Sequence, residues 1–361
     1  MQAAGTESEA AIARLFPRLH ERPDLYLYAF EPITGTADLI VMDEADYARA
    51  SFLNPGILTA QTLGARVPLF RVIEAAEAAP RTRPVHFIFH QGHTGSTLLS
   101  RLLDATGSTL GLREPWPLLT LAEHHDVLDT PEAVLSPDAY ARLRDALLAL
   151  WSRSFRPGQT AVVKASSHGE RIGADLLAAA PDARAVTLHL PPEPYLATTL
   201  ARANVHADLL GFARERMRRL VAMFGEVSEP LHALSTGELA AMAWLVERAS
   251  QRAMLDGEAL AARVLDLDFE TLLAGPEETL ARVAAHFELG ADAAAVRRAV
   301  TGPVMSRYSK APGQSYSARV RAERLDAARA AHGTEIARGL SWLERMGEKA
   351  PLAGRIASAF F

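Results

Sequence analysis

Apolar and polar positions follow two regimes that change near residue 84. Before it, Ser8 to Leu19 repeats with the spacing of an amphipathic helix, and Leu25–Phe30 and Asp38–Met42 read as strands. The polar, proline-flanked run Ala79-Pro80-Arg81-Thr82-Arg83-Pro84 marks a boundary. Residues 1–83 are therefore expected to form an N-terminal α+β extension, and 84–361 a second domain. From residue 84 strands alternate with helices. Val85–His90, Ala161–Lys164, Ala185–Leu190 and Arg263–Leu267 are short apolar runs. Helix-period segments lie at Leu98–Leu103, Arg171–Ala180, from Glu193, at Glu238–Leu255 (with Trp244) and at Pro276–Phe287, which proline opens. Ala318–Met346 is mainly helical in pattern. This alternation predicts an α/β fold with a central parallel sheet covered on both faces. No internal repeat or low-complexity tract interrupts it.

Composition narrows the class. Of 361 residues 49% are hydrophobic and 22% charged, enough to build a core and too apolar for a disordered chain. With no cysteine, disulfides, thiolate metal sites and a cysteine nucleophile are excluded. A net charge of −5 is not the basic footprint of a nucleic-acid binder. No run of about 18 apolar residues suggests a membrane span, and Met1–Ala13 lacks the basic and apolar regions of a signal peptide. A cytoplasmic location is expected. Lysine is scarce: Lys164, Lys310 and Lys349 are the only three. A lysine in an arginine-biased chain suggests a place where a compact ammonium is wanted.

The strongest chemical signal is Gly92-His93-Thr94-Gly95-Ser96-Thr97, between the strand at Val85–His90 and a helix. A glycine-bearing turn aims successive N–H groups at one point, and the helix N-terminus adds about half a positive charge. Together they cradle an anion such as phosphate or sulfate. The same residues also suit an ordinary capped strand-to-helix turn. A Walker A loop is absent, because no lysine follows Gly95 and the loop is short.

Thr94-Gly95-Ser96-Thr97-Leu98-Leu99 resembles the Ser-Gly-Thr-Thr-Leu-Leu loop of sulfotransferases. Those enzymes take a sulfuryl group from 3′-phosphoadenosine 5′-phosphosulfate (PAPS), and the spacing here is most similar to the tyrosylprotein type. The resemblance implies a P-loop-like three-layer α/β fold, with Gly92–Leu98 as the donor-binding loop. It implies a catalytic base at Glu114, nineteen residues after Gly95 and just past the helix that follows the loop. It places Lys164 near the transferring group and His93 beside it. Pro181-Asp182-Ala183-Arg184 is similar to the family's entry to the 3′-phosphate site, where Thr198 and Arg202 would serve. Ser309 and Lys310 match a basic loop that closes over the nucleotide. Val264–Glu270, Pro276 and Phe287-Glu288-Leu289-Gly290 extend the likeness as structural segments. The sequence departs from the pattern at Leu190, where the family has arginine, and at His93, where it has lysine or arginine.

The expected partner is a small-molecule or peptide acceptor, with PAPS as co-substrate and no metal. His124-His125 are adjacent and do not face one point on a helix. Asp268 and Glu270 remain open as metal ligands. Arg214, Arg216, Arg218 and Arg219, in the region Leu209–Ser228, fit a solvated helix face; otherwise that region and the N-terminal extension would shape the acceptor pocket or a partner surface. The alternatives are phosphoryl transfer on the same cradle, and a non-catalytic binding protein that has lost the donor.

Overall fold

The computed structural model describes residues 2–78, 81, 83–225, 229–308, 311–315 and 318–360. At its centre lie five parallel strands, β4 (Val85–His90), β5 (Thr109–Arg113), β6 (Thr160–Lys164), β7 (Ala185–His189) and β8 (Val264–Asp268), in the order β5-β6-β4-β7-β8. The chain leaves β4 for the edge at β5, returns through β6, then crosses β4 to reach β7 and β8. Strand order thus reverses at β4, and the crevice at its C-terminal end is where open α/β sheets hold ligands.

Helices cover both faces because both faces are apolar. Ile88, Val162, Val186 and Leu188 pack with Leu98, Leu99 and Leu102 of the helix Ser96–Ala105, and with Pro192–Leu200, Thr236–Asp256 and Pro276–His286. The opposite side chains, Phe87, Phe89, Val163 and Ala185, pack against Pro137–Trp151 and Gly173–Ala179. This second core continues into an N-terminal antiparallel sheet of β1 (Leu25–Glu31), β2 (Thr36–Val41) and β3 (Gly64–Pro68). No helix among the described residues is long and apolar enough to cross a membrane.

Four elements differ from expectation. The first helix runs Gln2–Leu15, with a 3-10 turn at Phe16–Arg18. β3 and β5 are additional strands. Both lie at sheet edges, where one flank needs no partner and few apolar residues are required. The long C-terminal helix spans Ala318–Lys349, broken at His332, whose φ is −123°.

On β4, His86 is buried, its ring stacked at 4.8 Å on Phe287. Its Nδ1 accepts the Arg184 N–H at 3.1 Å. Burial pushes its pKa down from the ordinary 6.5 to about 4, aided by nearby His286 and Arg184. The native state favours the neutral ring, so this stabilisation is complete above about pH 6.5 and lost as the pH falls toward 4. Urea unfolding at pH 7 and pH 4.5 tests this. The wild type should lose about 2–3 kcal/mol more than His86→Gln over that interval.

Candidate active site

The loop after β4 is held in a conformation few side chains allow. Gly92, His93 and Gly95 have φ of 86°, 56° and 74°. Gly95 opens the helix Ser96–Ala105, and a Cβ there would lie 1.9 Å from the Phe269 ring. Side chains tie the loop to the sheet. Thr94 donates its hydroxyl to the Leu188 carbonyl at 3.3 Å, and Gln91 Oε1 accepts the Leu190 N–H at 3.1 Å. The hydroxyl of Thr97 is buried in the first helical turn without a partner.

Beside the loop, three strand ends bring ionisable groups together. Lys164 ends β6 with no exposed side-chain surface, and its ammonium pairs with Glu114, whose side chain is 24% exposed. Glu114 is not just past the helix, as expected. It directly follows β5, because Thr109–Arg113 is a strand paired in register with β6 up to Arg113↔Lys164. Its φ of 52° turns the chain sharply, and its N–H donates to the Lys164 carbonyl at 2.6 Å. Burial lowers the Lys164 pKa, and Glu114 opposes the shift.

His90 completes the group and was not singled out from the sequence. Its Nδ1 accepts the Gly92 N–H at 2.9 Å, so the proton sits on Nε2, which donates to the Ala165 carbonyl at 2.8 Å. Lys164 Nζ approaches the same Nε2 at 3.2 Å, and Glu114 Oε1 lies 4.0 Å away. His90 therefore links the loop backbone to the ion pair. The only signal in sequence was a histidine at the end of an apolar strand, directly before the glycine turn.

The remaining predicted residues are spread along the rim. His93 is half-buried within the loop. Thr198 donates to the Pro194 carbonyl at 2.7 Å, within its own helix. Arg202 pairs with Asp208 at 2.5 Å. Leu190 is fully buried in the core, and its carbonyl accepts the Trp244 indole N–H at 2.9 Å. Ser309 and Lys310 lie outside the described residues. Asp268 caps a helix by accepting the Thr271 N–H at 3.1 Å, and Glu270 pairs with Arg321 at 2.6 Å. Among the described residues no three His, Asp or Glu side chains cluster as metal ligands.

The arginine-rich helix Ala213–Phe224 corrects the expectation of a solvated face. Arg214 and Arg218 are exposed, but Arg216 and Arg219 are buried. Arg219 reaches Glu247 at 3.0 Å and Ser250 at 2.7 Å. Arg248, next along Thr236–Asp256, holds Asp266 at 2.6 Å and keeps its carboxyl well below the usual range. Glu170, fully buried beside Glu247, is pushed well above it. The sequence showed four arginines on one helix; Glu215 pairs with Arg219 at 3.1 Å from one turn away, but Glu247 lies far off on another helix.

A parallel α/β sheet with a glycine turn and a helix N-terminus at its switch point is built to hold an anionic group. A family profile described as "Sulfotransferase family" matches residues 84–293, more than half of the chain, and the chain belongs to that family. No curated protein matches it in sequence. Similar solved structures include a sulfotransferase domain from the curacin biosynthetic pathway (16% identity, 78% of this chain, 98% of that one, TM-score 0.40). Another is a sulfotransferase from Mycobacterium avium (13% identity, 72% and 79% covered, TM-score 0.38). A third is the sulfotransferase domain of the Synechococcus PCC 7002 olefin synthase (15% identity, 78% and 96% covered, TM-score 0.38).

Gly95→Ala tests the loop geometry. A left-handed backbone and a clash with the Phe269 ring should together cost about 2–4 kcal/mol in chemical unfolding. Phe269→Leu in the same chain should recover part of the loss.

Proposed function

We propose that this sulfotransferase-family chain is an enzyme that moves a sulfuryl group from PAPS to an acceptor hydroxyl. One observation carries the reading: the Glu114 carboxylate, partly exposed, is fixed by buried Lys164 beside an anion-cradling loop. The Gly92–Thr97 N–H groups, the Ser96 hydroxyl and the unpartnered Thr97 hydroxyl would hold the 5′-phosphosulfate. Leu98 follows them into the helix as packing.

The acceptor oxygen attacks sulfur in line with the bridging oxygen of the phosphate. A new S–O bond forms as the bridging one breaks, and adenosine 3′,5′-bisphosphate leaves. The acceptor proton passes to Glu114. Lys164 orients that carboxylate and offsets the charge that grows on the leaving phosphate, while His93 stands within the loop to assist the departing oxygen. Positioning and charge stabilisation do most of the work in such a transfer.

For the 3′-phosphate, Arg202 would exchange Asp208 for the ligand, with Thr198 alongside, and Ser309 and Lys310 would close over the nucleotide. Leu190 supplies no charge there, so the donor is held with one charge-assisted bond fewer than the family pattern offers. That departure is what favours the second reading, in which the cradle takes a different nucleotide for phosphoryl transfer.

Titration calorimetry with adenosine 3′,5′-bisphosphate, ATP and ADP separates the two. The bisphosphate should bind in the micromolar range without Mg²⁺, about tenfold more weakly in Arg202→Ala. Glu114→Gln should keep that binding and lose at least about 100-fold in transfer from labelled PAPS. Binding of ATP alone would remove the PAPS assignment.

A further inference from the structure

Lys164 is followed by Ala165-Ser166-Ser167-His168, and this segment runs beside the glycine loop. The Ala165 N–H donates to the Ile88 carbonyl at 3.0 Å, and its carbonyl accepts from His90 Nε2 at 2.8 Å. The two serines then serve different ends. Ser166 caps the 3-10 turn Ser167–Ile172, its hydroxyl oxygen accepting the Gly169 N–H at 3.1 Å. Ser167 faces the loop: a Cβ added to Gly92 would lie 3.6 Å from the Ser167 Oγ. Glycine at this position leaves the space between loop and hydroxyl open, and a side chain would fill it.

A chain of donors holds Ser167 from behind. Arg216, buried on the helix Ala213–Phe224, donates an N–H to His168 Nε2 at 3.0 Å. A guanidinium cannot accept, so Nε2 is the unprotonated nitrogen and the neutral ring carries its proton on Nδ1. That Nδ1 lies 3.4 Å from Ser167 Oγ, which therefore accepts from it. Burial and the neighbouring Arg216, Arg171 and Arg219 push the His168 pKa well below its ordinary value, so the neutral tautomer persists at neutral pH. Phe212 packs on the ring, with centroids 3.5 Å apart, and Arg171 donates to the His168 carbonyl. Having accepted from His168, the Ser167 hydroxyl still has its own proton to donate.

We infer that Ser167 is a further binding residue of the glycine loop, donating its hydroxyl proton to an oxygen of the anionic group seated there, and that His168 and Arg216 are positioning residues that aim it. The direction of the chain selects an anion. Each link donates the same way, from Arg216 through His168 to Ser167, so the partner of the hydroxyl has to accept. Hydrogen bonds linked in series polarise one another, so part of the Arg216 charge is felt at the hydroxyl. The loop needs this help. Gly92–Thr97 contains no lysine or arginine, and the Gly92 N–H already donates to His90 Nδ1 at 2.9 Å. Ser167 thus adds a donor at the end of the loop where the backbone has least to offer. The inference rests on the sulfuryl-transfer reading for the identity of the anion, the phosphosulfate, but not for the contact itself.

Titration calorimetry of the full chain with adenosine 3′,5′-bisphosphate, adenosine 3′-monophosphate and inorganic pyrophosphate tests it. The bisphosphate and pyrophosphate carry a group for the loop, and the monophosphate does not. Ser167→Ala should weaken the first two by about tenfold and leave the monophosphate within about twofold. His168→Leu should act in the same way, and His168→Asn, whose amide can replace the Nδ1 donor, should keep most of the affinity. Combined with Ser167→Ala, His168→Leu should add no further loss, because His168 acts through Ser167. Additive losses would overturn the positioning role. Ser167→Ala, at a half-buried position, carries the test if His168→Leu does not fold. Unchanged bisphosphate and pyrophosphate affinity in Ser167→Ala overturns the inference, as does an equal loss for all three ligands. Pyrophosphate binding that Ser167→Ala weakens, with no bisphosphate binding, would remove the PAPS reading and leave Ser167 standing. A wild type that binds neither removes both.

Discussion

An ammonium group with no exposed surface has to be neutralised where it stands, and the site is organised around that requirement at Lys164. Removing such a charge from water costs several kcal/mol unless an opposite charge and hydrogen bonds replace the water. The replacement is set by sheet register. β5 and β6 align Arg113 with Lys164, and β4 and β6 align Ile88 with Lys164. Glu114 therefore emerges one residue past the register pair, and His90 two residues past Ile88. A slip of one residue would send Lys164 to the opposite face and leave Glu114 without its counter-ion.

The positive φ at Glu114 belongs to the same constraint. A glutamate is not a residue that favours this backbone region. It is held there by the hydrogen bond from its own N–H to Lys164, by Leu53 on both sides, and by the buried Arg113 below. Strain of this kind persists only where neighbours over-determine it, and such places are often functional. The N-terminal sheet is thus more than an attachment. Its apolar residues Leu25, Tyr26 and Leu39 share a core with Phe87 and Phe89 of β4, and the segment between β2 and β3 forms one side of the turn that carries the carboxylate.

Strands buried on both faces were legible in the sequence because burial makes them mostly apolar runs, as in β4, β6 and β7. The glycine loop was legible because its conformation needs those residue types. β5 was not, since Thr-Leu-Gly-Leu-Arg at a sheet edge holds two large apolar side chains and a glycine. Missing it placed Glu114 directly after a helix rather than after a strand. His90 was hidden for a different reason: at the end of an apolar run, a histidine looks like packing until its two nitrogens acquire partners. Arg216 and Arg219 looked solvated because Glu247 lies on another helix, and no local spacing shows it.

The central position of β4 has a consequence for synthesis. Its two hydrogen-bonded neighbours are residues 160–164 and 185–189, so the most apolar strand of the sheet is made long before either partner exists. At ribosomal speeds of about 5–20 residues per second, the wait for β6 is on the order of ten seconds. During that time six consecutive residues that end up buried have both edges unpaired. The nascent chain must keep this segment from pairing with its neighbours on other ribosomes. The early apolar partners available to it are those of the N-terminal sheet, already outside the tunnel and destined for the same core.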